Sequence, residues 1–454
     1  MAYISKNPFT GIENTQFETL SDQELNKKLK IAELAQNDWR IYCFEGRSKL
    51  LLNLSELLLK DTQKYAELIS IEMGKPITQS LGEVKKCAWL CEYFAEKGSG
   101  FLHGHTLDST SEISQICYDP LGVIFSIMPW NFPFWQVFRC IVPAIMAGNV
   151  VILKHASNVP QCAEAIESVF LEAGFNVGIL QNLFITYDQV EEVIAKPVVK
   201  AVAFTGSNEI GSIIAQIAGK NIKKTVLELG GSDPFIVFDD ADLNHALEFA
   251  ILSRFLNAGQ SCIAAKRFVL HEDIADEFVH NLKALIENFL IGDPLKSNTF
   301  MGPMVNENAI LILERQLEES IKLGAECIIG GMRNSENRSV FMPSLYSNVP
   351  VNSPLWNEEI FGPVATVHVF NTDDEALDLA NNTRFGLGAS VWTTDTERAN
   401  LFAEKLETGT VAINNMVKSE PGLPFGGVKD SGYGRELGKY GMHEFMNIKA
   451  VCYS

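Results

Sequence analysis

Positive charge is scarce in this chain. Its 37 lysines and arginines face 56 aspartates and glutamates over 454 residues, a formal net charge of -19. Such a surface repels both phosphate backbones and anionic bilayers, which argues against nucleic acid and membrane partners and leaves room only for a local basic pocket. The opening MAYISKNPFTGIENTQ has no basic stretch followed by an apolar one, so no secretory leader is expected. Long hydrophobic runs are also missing. The most apolar stretch, 137–153, is broken by Arg139, Pro143, Gly148 and Asn149, and is too short to span a bilayer. A cytoplasmic location is the expectation. Cysteine is sparse and odd in number, nine in all, at irregular spacing, which excludes a secreted disulfide framework. Cys87 and Cys91 have no second pair at zinc-ribbon distance, so no metal is expected.

What is present reads as a globular chain long enough for two or three domains, 46% hydrophobic and 20% charged. Residues 21–100 have helical periodicity, opened by a capping box of Ser21 with Glu24. A second helical stretch runs from about Gly46 to Met73 and closes at Gly74-Lys75-Pro76. Two strand-like pieces about the turn Asp119-Pro120-Leu121-Gly122 suggest a hairpin over 113–125. Strands near 150–153, 180–186 and 201–204 then alternate with helices near 161–173, 190–195 and 208–217, the rhythm of a parallel sheet. A second such series follows Gly230-Gly231, and 448–453 is a terminal strand candidate. The fold class is therefore α/β, with two doubly wound domains, 1–228 (interrupted by the hairpin) and 229–425. A small β-element of 113–125 with 440–454 completes it.

Four polar clusters interrupt apolar sequence. In PWNFPFWQ, Asn131 lies in a turn fixed by Pro129 and Pro133, where its amide can donate to a developing oxyanion or merely cap the turn. In FTGSNEIG a strand passes through Gly206 and Ser207 into a helix whose free amides suit a phosphate, although the full dinucleotide fingerprint is absent. In LELGGSDP, Glu228 is isolated among apolar neighbours, which raises a carboxyl pKa and suits a general base; a partnered structural glutamate is the ordinary alternative. In NAGQSC, Cys262 ends a flexible loop and is a candidate nucleophile among nine thiols.

With KHASN, EEIFGPV, NNTRFGL and PFGGVKDSGYGRELG, these segments occur in an order that resembles the aldehyde dehydrogenase superfamily over nearly the whole length. The resemblance implies that 1–228 binds NAD(P) and 229–425 is catalytic. It implies attack by Cys262 on an aldehyde carbonyl, and an oxyanion held by Asn131 and the Cys262 N–H. The thioester that follows would be hydrolysed by water activated by Glu228. Glu359 would hold the nicotinamide ribose beside Phe361, with Trp130, Lys154 and Ser207 lining the rest of the cofactor site. Gly206 would admit the phosphates, and Gly362 and Pro363 would shape the turn after Phe361. NAD-preferring members carry a glutamate three residues after the lysine; here Ser157 follows Lys154, so NADP is expected to be accepted and NAD use stays possible.

Within the superfamily the chain resembles the bacterial succinate-semialdehyde dehydrogenases. Arg139 stands eight residues beyond Asn131 in the apolar run FWQVFRCIVPAIMAG, and a buried arginine requires an anion. A substrate carboxylate at the far end of a tunnel can serve, assisted by Ser419; a protein carboxylate can serve equally. Glutarate semialdehyde or another short aldehyde is the alternative substrate, and a silent structural protein the alternative of another class. Ala264 replaces the second cysteine through which some such enzymes form a regulatory disulfide, and Leu256 stands where some members have an arginine. The family implies a homodimer or homotetramer, bridged by the hairpin and the terminal strand.

Overall fold

The computed structural model describes residues 3–453. Its first large sheet has six strands in the order Gly432–Tyr433, Lys224–Glu228, Val199–Thr205, Val123–Met128, Val150–His155 and Leu180–Asn182. All neighbours are parallel except the first pair. Val123–Met128 and Val150–His155 are buried at every position, as apolar strands covered by helices on both faces must be. From Val123–Met128 the chain winds outward to one side, then returns to lay Val199–Thr205 on the other. The reversal opens a crevice beyond the carboxyl ends of those two strands, where a doubly wound sheet binds its ligand. Asn131 and Ser207 follow the two strands that flank it.

The second sheet has seven strands in the order Glu326–Ile329, Ser344–Ser347, Val364–Phe370, Ala265–His271, Asp233–Val237, Gly388–Trp392 and Thr410–Ile413. Its reversal lies between Asp233–Val237 and Gly388–Trp392, but that crevice is closed: Asp233 accepts the Gly388 N–H at 3.1 Å. The two α/β units expected from the sequence are thus present, and one of them has the open switch point.

A third sheet, of three strands, pairs His105–Leu107 and Met446–Tyr453 with Ile113–Pro120. This corrects the hairpin expected at 113–125. Ile113–Pro120 does not pair with the strand that follows; the turn at Leu121–Gly122 instead hands the chain from the small sheet to the centre of the first large one, where Val123–Met128 lies. Alternation and a turn signal fix two strands and a bend, not which partner each strand takes.

The amino-terminal helices are Asp22–Trp39, Phe44–Lys60, Thr62–Met73 and Ile77–Phe101, the first with the Ser21–Glu24 capping box read from the sequence. The stretch read as one helix to Met73 breaks at Asp61, and the Thr62 hydroxyl donates at 2.8 Å to the Leu58 and Leu59 carbonyls freed there. Ile77–Phe101 packs on Trp135–Met146, a helix buried along its whole length. That buried helix is held at both ends. Glu83, ion-paired with buried Lys75, accepts the Phe134 and Trp135 N–H groups at 2.9 and 3.0 Å. At the far end Trp39 and Arg47 donate to the Ile145 and Met146 carbonyls at 2.9 and 3.1 Å. With its donors and acceptors met, the helix gives the Asn131 turn a rigid support.

Candidate active site

Cys262 follows a turn in which Asn257, Ala258 and Gly259 all have left-handed backbone, with φ of 56°, 52° and 69°. Only glycine adopts that region freely, so two of the three residues are strained, and the surroundings must hold them. They do so with buried hydrogen bonds. Asn257 donates from Nδ2 to the Asn131 carbonyl at 2.8 Å, and Gln260 accepts the Val305 N–H at 2.9 Å. Lys266 donates to the Cys262 and Ser261 carbonyls at 2.7 and 3.0 Å and lies 3.5 Å from Glu359 Oε1. The Cys262 loop is thereby tied both to Asn131 and to the Glu359 segment.

One cleft, at the open switch point, is lined by Trp130, Asn131, Gly206, Ser207, Glu228, Cys262, Glu359 and Phe361. Eight of the sequence-derived residues, scattered over 232 positions, meet there. Trp130 and Phe361 stand edge to face with centroids 5.8 Å apart. Glu359 accepts the Gly231 N–H at 3.1 Å. The Phe361 segment is pinned by Arg254, whose guanidinium donates to the carbonyls of Ile360, Gly362 and Val364. Arg254, eight residues before Cys262 in sequence, thus turns away from the thiol to shape the Phe361 segment. Ser207 accepts the Ile210 N–H as a helix N-cap, and Thr205 Oγ1 is buried beside it with no partner. A Cβ at Gly206 would lie 2.5 Å from the Phe204 ring, so glycine is required there by local packing as well as by any ligand. Lys154 and Ser157 lie outside this cleft, at and beyond the end of Val150–His155. Lys154 is buried over the rings of Tyr3 and Tyr187, and burial lowers its pKa to about 8. No carboxylate lies within 4 Å of it among the described residues.

A second cavity reaches Cys262 from the other side, lined by Lys86, Trp135, Arg139, Ser419 and Phe425 among others. Cys262 is the meeting point of the two. Asn131 is buried with its Nδ2 3.2 Å from the Gln260 carbonyl, so one amide hydrogen is bound and the other is free to donate. Both carboxyl oxygens of Glu228 are buried without a partner. Burial, then the neighbouring Glu436, push its pKa well up, against the pull of Arg139 and Arg435.

Arg139 lies in this second cavity, and its Nη2 is buried there without a partner. Through Nε it also forms a fully buried ion pair with Glu436. The guanidinium lines the cavity and stacks on Phe425 at 4.5 Å, but its charge is compensated by the protein, because the glycine-rich carboxyl-terminal segment returns to the first sheet and brings Glu436 with it. Sequence spacing along one helix could not reveal a partner from 297 positions away. Ser419 does lie in this cavity, as expected. Lys86, Lys266 and Glu436 were missed; of these only Lys266, four residues beyond Cys262, carried a local signal.

Burial raises the Cys262 thiol to about 12, with the positive charges of Arg139 and Lys266 pulling against it. The reactive thiolate should therefore remain a minor form near neutral pH. Alkylation of Cys262 by iodoacetamide, followed by mass spectrometry, is expected to keep accelerating from pH 7 through pH 10, by about tenfold per unit. A plateau below pH 9 would contradict this environment.

Residues 2–451 match the Aldehyde dehydrogenase family. A probable succinate-semialdehyde dehydrogenase (NADP(+)) of Synechocystis sp. is 44% identical over 451 residues, covering 99% of both chains. The succinate-semialdehyde dehydrogenase (NADP(+)) of Deinococcus radiodurans is 40% identical over 99% of this chain and 94% of its own. The crystal structure of succinic semialdehyde dehydrogenase from Streptococcus pyogenes in complex with NADP+ superposes with a TM-score of 0.97 at 38% identity, covering 99% of each chain. Length, fold and the residues gathered about Cys262 agree, and the chain belongs to the aldehyde dehydrogenase family.

Proposed function

We propose that the protein oxidises succinate semialdehyde to succinate with NADP as the preferred acceptor, NAD being an alternative. The observation that carries this reading is the position of Cys262 at the junction of two cavities, one at the sheet's ligand-binding switch point and one lined by cationic and hydroxyl groups. The Synechocystis and Deinococcus relatives are named for that substrate and nucleotide.

The residues fit a nicotinamide nucleotide. Ser207 opens a helix whose amides face the cleft, Thr205 has an unpartnered hydroxyl, and Glu359 has a carboxylate for ribose hydroxyls. Lys154 with Ser157 presents a cation and no acid where a 2′-phosphate would lie. When bound, the nucleotide supplies the hydride acceptor. The Cys262 sulfur adds to the aldehyde carbon to give a thiohemiacetal, its thiol proton passing to a nearby base. The free N–H of Asn131 and the Cys262 N–H hold the oxygen that becomes negative. Lys266 fixes the peptide carbonyls about the nucleophile and so keeps that N–H oriented. In the second half, Glu228 takes a proton from water as it attacks the thioester, and its raised pKa makes it a strong base for that step. Succinate then leaves and the thiol is restored.

The three-stranded sheet exposes Leu107, Ile113, Ile448 and Tyr453. Apolar residues exposed together on so small a sheet suit burial against a second copy of this chain, and a homodimer or homotetramer is the assembly we infer.

Glu228→Gln is expected to leave a stoichiometric burst of reduced nucleotide while the steady-state rate falls by about 100-fold or more. Loss of the burst itself would assign Glu228 to acylation. Ser157→Glu should lower kcat/KM for NADP by about 30-fold and for NAD by much less, since a carboxylate repels the 2′-phosphate; equal effects on both nucleotides would contradict the assignment. Ile448→Asp is expected to shift the mass seen by light scattering toward that of the monomer, and an unchanged assembly would remove the small sheet from the interface.

A further inference from the structure

Two residues line both of the cavities that meet at the thiol: Cys262 itself and Gln136. Gln136 stands in the first turn of the buried helix Trp135–Met146, its backbone N–H bonded to the Phe132 carbonyl at 2.9 Å. The residue is 2% exposed and its Oε1 is buried without a partner. Among the described residues its side-chain amide makes no hydrogen bond at all. The other glutamines on these walls are committed. Gln79 donates to the Phe300 carbonyl and accepts the Asn257 N–H, both at 2.8 Å. Gln316 donates to Glu358 and to the Glu359 carbonyl at 2.9 and 3.1 Å. Asn131 also has a buried oxygen without a partner, but its amide is anchored through Nδ2 to the Gln260 carbonyl. A buried amide left unpartnered weakens the fold, so its presence calls for a partner that arrives during the reaction.

An acyl group on Cys262 extends into the second cavity, which puts the carbon bound to sulfur at the boundary between the two. Asn131 and Glu228 line the first cavity only, whereas Gln136 borders the reacting carbon on both sides. The oxygen on that carbon already has two donors, the Asn131 amide and the Cys262 N–H. The water that attacks the thioester has one acceptor, Glu228, and a water held by a single hydrogen bond is free to turn about it. A second acceptor at a fixed place aims the water's lone pair at the carbon. The carbonyl of Gln136 is such an acceptor: with no partner to hold the amide, its broad terminal torsion lets Oε1 turn toward the cavity.

We propose that Gln136 is a catalytic residue of the second half-reaction, in which it holds the water that hydrolyses the thioester. This rests on the activity proposed above and adds a residue to it. One hydrogen of the water passes to the Glu228 carboxylate as the oxygen attacks the acyl carbon. The other is held by Gln136 Oε1 and stays on the new carboxyl group. The carbon–sulfur bond breaks with its electron pair on sulfur, and the proton on Glu228 restores the thiol. Gln136 takes no proton; it contributes orientation.

The test is Gln136→Met, which keeps the length of the side chain and removes both polar atoms. With NADP and succinate semialdehyde its first turnover should form reduced nucleotide at the wild-type rate, and later turnovers should run about 30-fold slower. Intact-mass spectrometry of protein quenched during turnover should show a succinyl adduct on Cys262 accumulating in the variant. Hydroxylamine attacks a thioester without needing a base or a fixed water, and it should restore most of the lost rate. Because the amide has no partner in the protein, the Tm of the variant should equal or exceed that of the wild type. A slowed first turnover would place Gln136 in acylation and overturn the proposal, as would an unchanged steady state. A lowered Tm with no relief by hydroxylamine would make the residue structural and overturn it too. If the wild type oxidised other aldehydes but not succinate semialdehyde, the substrate reading alone would fall, and the same comparison with the better aldehyde would decide the role of Gln136.

Discussion

The strained turn before Cys262 is the constraint on which the rest of the site depends. Two non-glycine residues held at positive φ place one sulfur where two cavities meet, and an unsupported loop would relax out of that geometry. The support comes from three directions: Asn257 to the Asn131 backbone, Gln260 to Val305, and Lys266 to the loop's own carbonyls and toward Glu359. Each link joins the Cys262 loop to a different element, so the two cavities that meet at its sulfur share one rigid reference point.

Electrostatics divides the labour about that point. Three buried groups, Arg139, Glu436 and Glu228, and the half-buried Cys262 act on one another at short range in a poorly solvated interior. The arginine–glutamate pair compensates itself, leaving Glu228 as the unpartnered carboxyl. Two buried lysines, Lys154 and Lys86, have no carboxylate within 4 Å among the described residues, and Lys86 lines the second cavity. An overall charge of -19 leaves those two positions as local exceptions.

Much of the fold was legible because its strands are covered on both faces and its helices carry ordinary boundary signals. The alternation from Val150 to Lys220 appeared nearly where the apolar runs placed it. Leu180–Asn182 is shorter than the run suggested, because an apolar stretch continues past the last paired residue. The small sheet was misread for a different reason: the partner of Ile113–Pro120 comes from the end of the chain, and strand pairing at that separation leaves no local mark. The same limit applied to the site. Cys262, Glu228 and Asn131 lie in short motifs whose order identified the family. Lys86 and Glu436 work through partners hundreds of residues away, and nothing beside them in sequence announces it. Arg139 was chosen for the right reason, that a buried guanidinium requires an anion, but burial alone could not say which anion.

The pairing of Arg139 with Glu436 also bears on how such a sequence can drift. Replacing either partner alone would strand its mate without solvent or counter-charge, which typically costs about 3–5 kcal/mol, a large part of a domain's net stability. Exchange of both for well-packed apolar groups is far less damaging to folding, but it would strip the charge acting on Cys262 and Glu228. Divergence at these two positions is therefore caught between a folding barrier for single steps and a catalytic one for the double step. A lineage that has crossed both should have found another way to set the environment of its nucleophile.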